Sequence, residues 1–241
     1  MKSILIPTVL ENDTLHAIDI AIKHAKGKSC TIVLLTLTET PDAGSAVQFL
    51  RKTRKAFTQA QLELLNECYN AVALSANCRL EVHHQYGLSA AVLRNLLEYL
   101  GTDIIILSPS YKSERKKIHT NFCKLAGTCK KPILHLGNGC GQMAFNKALY
   151  IERNNAQIDI KDLQQLVNTQ FDFKIVSQAT LTEGYGQEGF APFVNEAIER
   201  NGIDLLIETR KSKKAMMPEN RMNNDAFGLP VLSIHEEAAR V

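Results

Sequence analysis

Four short stretches of the chain are apolar almost without interruption: SILIPTV at 3–9, CTIVLLTLT at 30–38, DIIILS at 103–108 and PILHL at 132–136. They are too short for buried helices and they do not alternate. Strands of this texture are buried on both faces, which happens in parallel sheets covered by helices. Between them the apolar residues change to helical spacing. Leu15, Ile18, Ala21, Ile22 and Ala25 recur after Asn12, Asp13 and Thr14, any of which can cap a helix, and Gly27 ends it. A long helical stretch is expected over 44–77, a strand over 79–87 closed by a glycine turn, and a helix running from a Ser89 cap to Gly101. A loop from Pro109 leads to a helix near 118–126. The order βαβαβαβαβ implies right-handed crossovers and a doubly wound α/β sheet.

The same grammar then restarts. Residues 138–146 are a glycine-rich break read as a linker, with no GK[ST] to make it a phosphate loop. KALYIER at 147–153 matches the first strand. A helix over 158–169 with Asp159 as its cap and a strand over 171–179 follow. Tyr185-Gly186 matches Tyr86-Gly87, and NGIDLLIET at 201–209 parallels LGTDIIILS at 100–108, setting Asp204 opposite Asp103. GLPVLSI at 228–234 parallels KKPILHL, with Pro230 opposite Pro132. The domains expected are therefore a complete unit over 1–137 and a reduced second unit over 147–241, lacking one long helix and one strand.

Composition narrows the function classes. The formal net charge is +3, with 17 Lys and Arg against 11 Asp and Glu over 1–140 and 11 against 14 over 141–241. That asymmetry suggests complementary halves or an anionic ligand on the first, but no concentrated basic face for nucleic acid. The basic cluster Lys112, Arg115, Lys116 and Lys117 reads as a solvated loop or helix start. No apolar run approaches the roughly 18 residues of a membrane span. The opening apolar run of about five residues, stopped by Pro7, does not read as a signal peptide. All six cysteines precede residue 141 and none forms a CxxC, so they read as reduced thiols in a cytoplasmic protein. The paired spacing of a structural zinc site is absent and no metal is expected.

The opening strand ILIPT, the strand IVLLTLTE, a long helix, a short strand ending in glycine, then TDIIILS and a closing KPILHL resemble the universal stress protein family, in tandem form with a degenerate second unit. The resemblance implies an adenine-nucleotide α-hydrolase-like fold, with ATP or AMP as the ligands such proteins hold. Nucleotide-binding members carry an aspartate at the end of the first strand and a GxxGx9G[ST] signature after the fourth. The first falls here at Val9, whose side chain accepts no hydrogen bond. The second meets Ser108, Pro109, Ser110 and Tyr111, and its G[ST] pair falls at His119 and Thr120. Backbone N–H groups freed by glycine close on phosphates, and Pro109 has none to offer. The expectation is a non-catalytic stress-response protein without the family's usual ATP binding and with no cofactor. The alternatives are a small-molecule or nucleotide binder with an altered site, or an enzyme of the wider adenine-nucleotide-binding group.

The default ligand site of this architecture is the crevice at the carboxyl ends of the strands. Here Thr8, Val9, Leu37, Ser108, Ser110 and Thr120 would line it. His119, beside Lys116 and Lys117, either meets an anion there or stands exposed at a helix start. His83 and His84 point to opposite faces of their strand, and Asp103 and Asp204 read as turn or capping residues. The loop 209–228 also lacks glycine signature, although Met216, Met217 and Met222 could cover a pocket. No GxSxG, HExxH or supported carboxylate pair is present, so no catalytic residue is named. The partners expected are intramolecular, with PILHL and LPVLSI pairing as closing edge strands, together with a homodimer or an unidentified protein.

Overall fold

The computed structural model describes residues 2–40, 47, 57–137, 145–153, 158–171, 173–181, 187–211 and 227–238. The glycine-rich segment 138–144, Tyr185-Gly186 and the methionines of the 209–228 loop lie outside them. The chain divides into two compact α/β units, Met1–Asp103 with Ser110–Leu125, and Ile104–Pro109 with Ala126–Val241.

In the first unit β1 (Lys2–Pro7), β2 (Cys30–Thr38) and β3 (Cys78–Tyr86) run parallel in the order β3-β2-β1. Ile4, Leu5 and Ile6 of β1 and Ile32 to Leu35 of β2 are buried on both faces, which is why their sequence does not alternate. Helices α1 (Asp13–Ala25) and α2 (Gln59–Ala73) pack together, α1 against β1 and β2 and α2 against β3. They bury Ala17, Ile18 and Ala21 from one and Leu64, Cys68 and Val72 from the other. The long helix expected over 44–77 has a start at Gln59. Thr58 is extended and its hydroxyl accepts from the Gln61 amide at 3.3 Å, while the Gln61 side chain accepts from the Thr58 amide at 3.1 Å. This reciprocal box satisfies donors that an uninterrupted helix would have satisfied by itself. Helix α3 (Ala90–Tyr99) opens as expected on Ser89, whose hydroxyl accepts from the Val92 amide. The loop expected after Pro109 contains a five-residue helix, α4 (Pro109–Ser113), with proline at the first helical position, where its missing N–H costs nothing. Helix α5 spans Lys117–Thr128.

The second unit holds β4 (Ile104–Leu107), β5 (Ile133–His135), β6 (Lys147–Arg153), β7 (Lys174–Leu181), β8 (Leu205–Arg210) and β9 (Val231–His235) in the order β4-β5-β9-β8-β6-β7. Helices α6 (Ile160–Gln170) and α7 (Gln187–Asn201) belong to it. The Asp159 carboxylate caps α6 through the Lys161 amide at 2.9 Å. Leu149, Ile151, Val194, Ile203, Leu206 and Val231 form its core. Among the described residues of this unit the pairings are parallel except that β5 and β9 are antiparallel, Leu134 opposite Leu232. Gly137, just beyond β5, passes so close to the backbone that an added methyl would stand 2.7 Å from the Gly228 carbonyl oxygen.

Asp103 and Asp204 hold strand starts. The Asp103 carboxylate accepts from the Ser3 amide at 2.8 Å, and its own amide donates to the Ser3 carbonyl. Asp204 accepts from the amides of Asn146 and Lys147 at 2.8 and 3.0 Å and donates to the Lys147 carbonyl. Gly101 and Gly202, both at positive φ, end the preceding helices. The amides of Ile105 and Leu206 then bond the carbonyls of Pro132 and Pro230. Among the described residues no helix is long and apolar enough to cross a membrane.

Candidate functional site

The carboxyl end of β1 turns sharply. Leu10 adopts φ +59° although it has a side chain, and that side chain is buried. A left-handed non-glycine residue costs about 1–2 kcal/mol, so the turn needs fixing. Thr8 supplies it: its buried hydroxyl accepts from the Leu10 amide at 2.8 Å and shares a 2.8 Å hydrogen bond with the Thr14 hydroxyl on α1. Replacing Thr8 by valine keeps the shape and removes the acceptor. We expect a stability loss of about 1–2 kcal/mol, read from the urea midpoint at unchanged slope.

Beyond this turn lies an open cleft of about 630 Å3 lined by Val9, Glu11, Asn12, Asp13, Ser110, Ser113, Glu114 and Arg115. Its centre is a clamp. The Ser110 amide donates to Asp13 Oδ2 at 2.7 Å and the Ser110 hydroxyl donates to Asp13 Oδ1 at 2.6 Å. Asp13 leads α1, where the sequence suggests a cap, yet Asn12 at the cap position makes no side-chain cap bond. The carboxylate is instead spent across the loop on α4. The Glu114 carboxyl is held below its ordinary range, first by the Lys116 amide donating at 3.1 Å and then by the nearby Lys116 ammonium. The cleft therefore presents the carboxylates of Glu11, Asp13 and Glu114 against the single guanidinium of Arg115.

Of the seven residues expected to form the crevice, Val9 and Ser110 line this cleft. Leu37 is buried in β2 and Ser108 is buried in the second unit. Thr120 is exposed, but its hydroxyl donates to the Lys117 carbonyl at 3.0 Å within its own helix. His119 requires a correction. It is not an exposed helix-start residue: it is 4 % exposed, with its ring edge-on to Tyr111 at 5.1 Å, and it is not among the residues that line this cleft. Tyr111 is fully buried and meets Phe122 edge-on as well. Burial, ahead of the neighbouring charges, lowers the pKa of His119, so the ring is neutral. The Asp13–Ser110 clamp was missed because a carboxylate after a strand and a serine after a proline are individually commonplace; nothing in the sequence pairs them.

No protein-family model matches the chain, and no curated protein matches it. Solved structures do. A universal stress protein from Archaeoglobus fulgidus DSM 4304 is 12% identical, with a TM-score of 0.59 over 97% of this chain and 96% of that one. A functionally unknown protein from Pseudomonas aeruginosa PAO1 is 13% identical, with a TM-score of 0.50 over 100% of this chain and 97% of that one. At such identities the likeness is one of architecture, and the chain has the fold of a universal stress protein.

Proposed function

We propose that this chain is a tandem universal-stress-type protein of the cytoplasm, regulatory rather than catalytic, whose first unit no longer takes nucleotide phosphates. The observation that carries the reading is the clamp of Asp13 on Ser110. The donors at the start of α4 already hold an internal carboxylate, and an entering phosphate would have to displace it against two further carboxylates. The repeated bonding of Asp103 and Asp204 and the paired Pro132 and Pro230 carbonyls support duplication of one unit. The antiparallel β5–β9 pairing supports a pseudo-dimer made by the closing strands, since pairing two apolar edges removes exposed backbone donors and acceptors.

The test is a thermal-shift scan of the full chain with ATP, ADP, AMP and cyclic nucleotides, with and without magnesium. A ligand at one hundred times its Kd stabilises a fold by about 2.7 kcal/mol. We expect no shift with any of them. A clear shift would overturn the reading, and turnover of ATP would replace it with an enzyme. The second reading, a binder with an altered ligand, draws on the open cleft itself. Its acidic lining favours a cationic or neutral polar molecule, detectable by native mass spectrometry of the freshly purified protein.

A further inference from the structure

The first residues of β2 and β3 are both cysteines, and the parallel register sets Cys30 directly beside Cys78. Among the described residues these are the two cysteines that lie on strands; Cys68 and Cys123 are helical and Cys129 follows a helix. Registered residues of adjacent strands present their side chains on the same face, and neighbouring strands lie about 4.8 Å apart. That spacing falls inside the range of roughly 4.4–6.8 Å between Cα atoms that a disulfide spans. The exposure of the two cysteines differs: Cys30 is 1 % exposed, whereas Cys78 is half-buried and within reach of solvent.

We propose that Cys30 and Cys78 form a redox-responsive pair, oxidised by hydrogen peroxide to a disulfide that ties the edge strand β3 to β2. The Cys78 thiolate attacks one peroxide oxygen. An S–O bond forms, the O–O bond breaks, and the departing hydroxide takes a proton to become water. The Cys30 sulfur then attacks the sulfenic sulfur of Cys78. The S–S bond forms, the S–O bond breaks, and hydroxide leaves with the proton that Cys30 gives up, as a second water. Two thiols have lost two electrons and one peroxide has gained them.

The division of labour follows the burial. Cys30 is a poor first attacker because desolvation pushes its thiol up to about 12, only partly opposed by the Lys2 ammonium. Its register position directly beside Cys78 suits it to resolve the sulfenic acid instead. Both residues start their strands, Cys30 donating its amide to Asn77 and Cys78 to Ser75. The small approach that a disulfide demands therefore falls at strand ends and not in mid-sheet. This inference is independent of any nucleotide site.

The full chain would be treated with a small excess of hydrogen peroxide, quenched with an alkylating reagent, digested and mapped by mass spectrometry. The expected main product is the peptide pair linked through Cys30 and Cys78, with loss of two hydrogens. In Cys30→Ala, Cys78 should halt at the sulfenic acid and be trapped by dimedone, whereas the wild-type chain should yield little adduct. Cys78→Ser alters only a half-buried position and should fold; in it Cys30 should stay unoxidised. Oxidation of Cys123 or Cys129 ahead of a surviving Cys30 and Cys78 would overturn the proposal, as would equal dimedone trapping at Cys78 with and without Cys30.

Discussion

Replacing Arg210 by methionine is expected to lower the stability of the protein by about 3 kcal/mol. Arg210 ends β8 and is 8 % exposed. Its Nε donates to the Gly127 carbonyl at 3.2 Å and its Nη2 to the Cys129 carbonyl at 2.8 Å; further bonds reach the carbonyls of Lys131 and Ser233. Gly127 lies in the last turn of α5, where unpaired carbonyls and the negative end of the helix dipole favour a cation. One guanidinium thus closes a helix end, the segment leading into β5, and β9. Hydrogen bonds to a charged donor contribute about 1.5–3 kcal/mol each, but four bonds from one group do not add, and water reaches some of the acceptors. Methionine keeps much of the stem's packing, so the loss isolates the polar part. Arg210→Lys should recover less than half of it, because an ammonium lacks the planar fork that serves several carbonyls together. Urea unfolding of the three proteins at neutral pH decides the matter. An unfolding free energy for Arg210→Met within about 1 kcal/mol of the parent would mean that solvent replaces the guanidinium at little cost.

The second large effect is acid sensitivity through His24. This residue sits in the last turn of α1, a place where the helix dipole favours a charged imidazole. Burial wins: desolvation first, and then the ammonium groups of Lys2 and Lys26, bring its pKa down to about 4. The unfolded chain binds a proton near 6.5 and the folded chain does not. Stability from this group is therefore complete above about 6.5 and falls as the pH drops from there toward 4. At pH 5 the loss from His24 is about 2 kcal/mol. His16, His84, His119 and His235 are lowered in the same direction, each first by burial, and steepen the decline. Urea midpoints at pH 7.5 and pH 5 measure the total. His24→Gln should remove about 2 kcal/mol of that difference; an unchanged pH dependence in the variant would acquit His24.

The elements were legible where the signal is local. Residues 30–38 and 103–108 can only be strands buried on both faces, and Ser89 and Asp159 cap the helices that the sequence assigns to them. The start of α2 was legible too, in retrospect, since Thr58 and Gln61 have the spacing of a capping box. It was missed because the apolar rows on either side share helical spacing, and periodicity does not reveal a break that a reciprocal hydrogen bond makes. The site was less legible. Thr8 is expected in the crevice, and its hydroxyl also locks a left-handed Leu10, a role that depends on a backbone angle. His119 reads from the sequence as either an anion ligand or an exposed helix-start residue; its helix turns it inward against Tyr111.

What the sequence determined by itself is the kind of structure: parallel strands interleaved with helices, because hydrophobic spacing and helix punctuation act over a few residues. What only the tertiary structure decided is which distant groups meet. Asp13 finds Ser110, Arg210 finds the end of α5, Cys30 lies beside Cys78, and β5 lies antiparallel to β9. Each pairing satisfies a charge, a hydrogen-bonding group or a strand edge that its own neighbourhood leaves open, and the partner is chosen by the crossing of the chain in space.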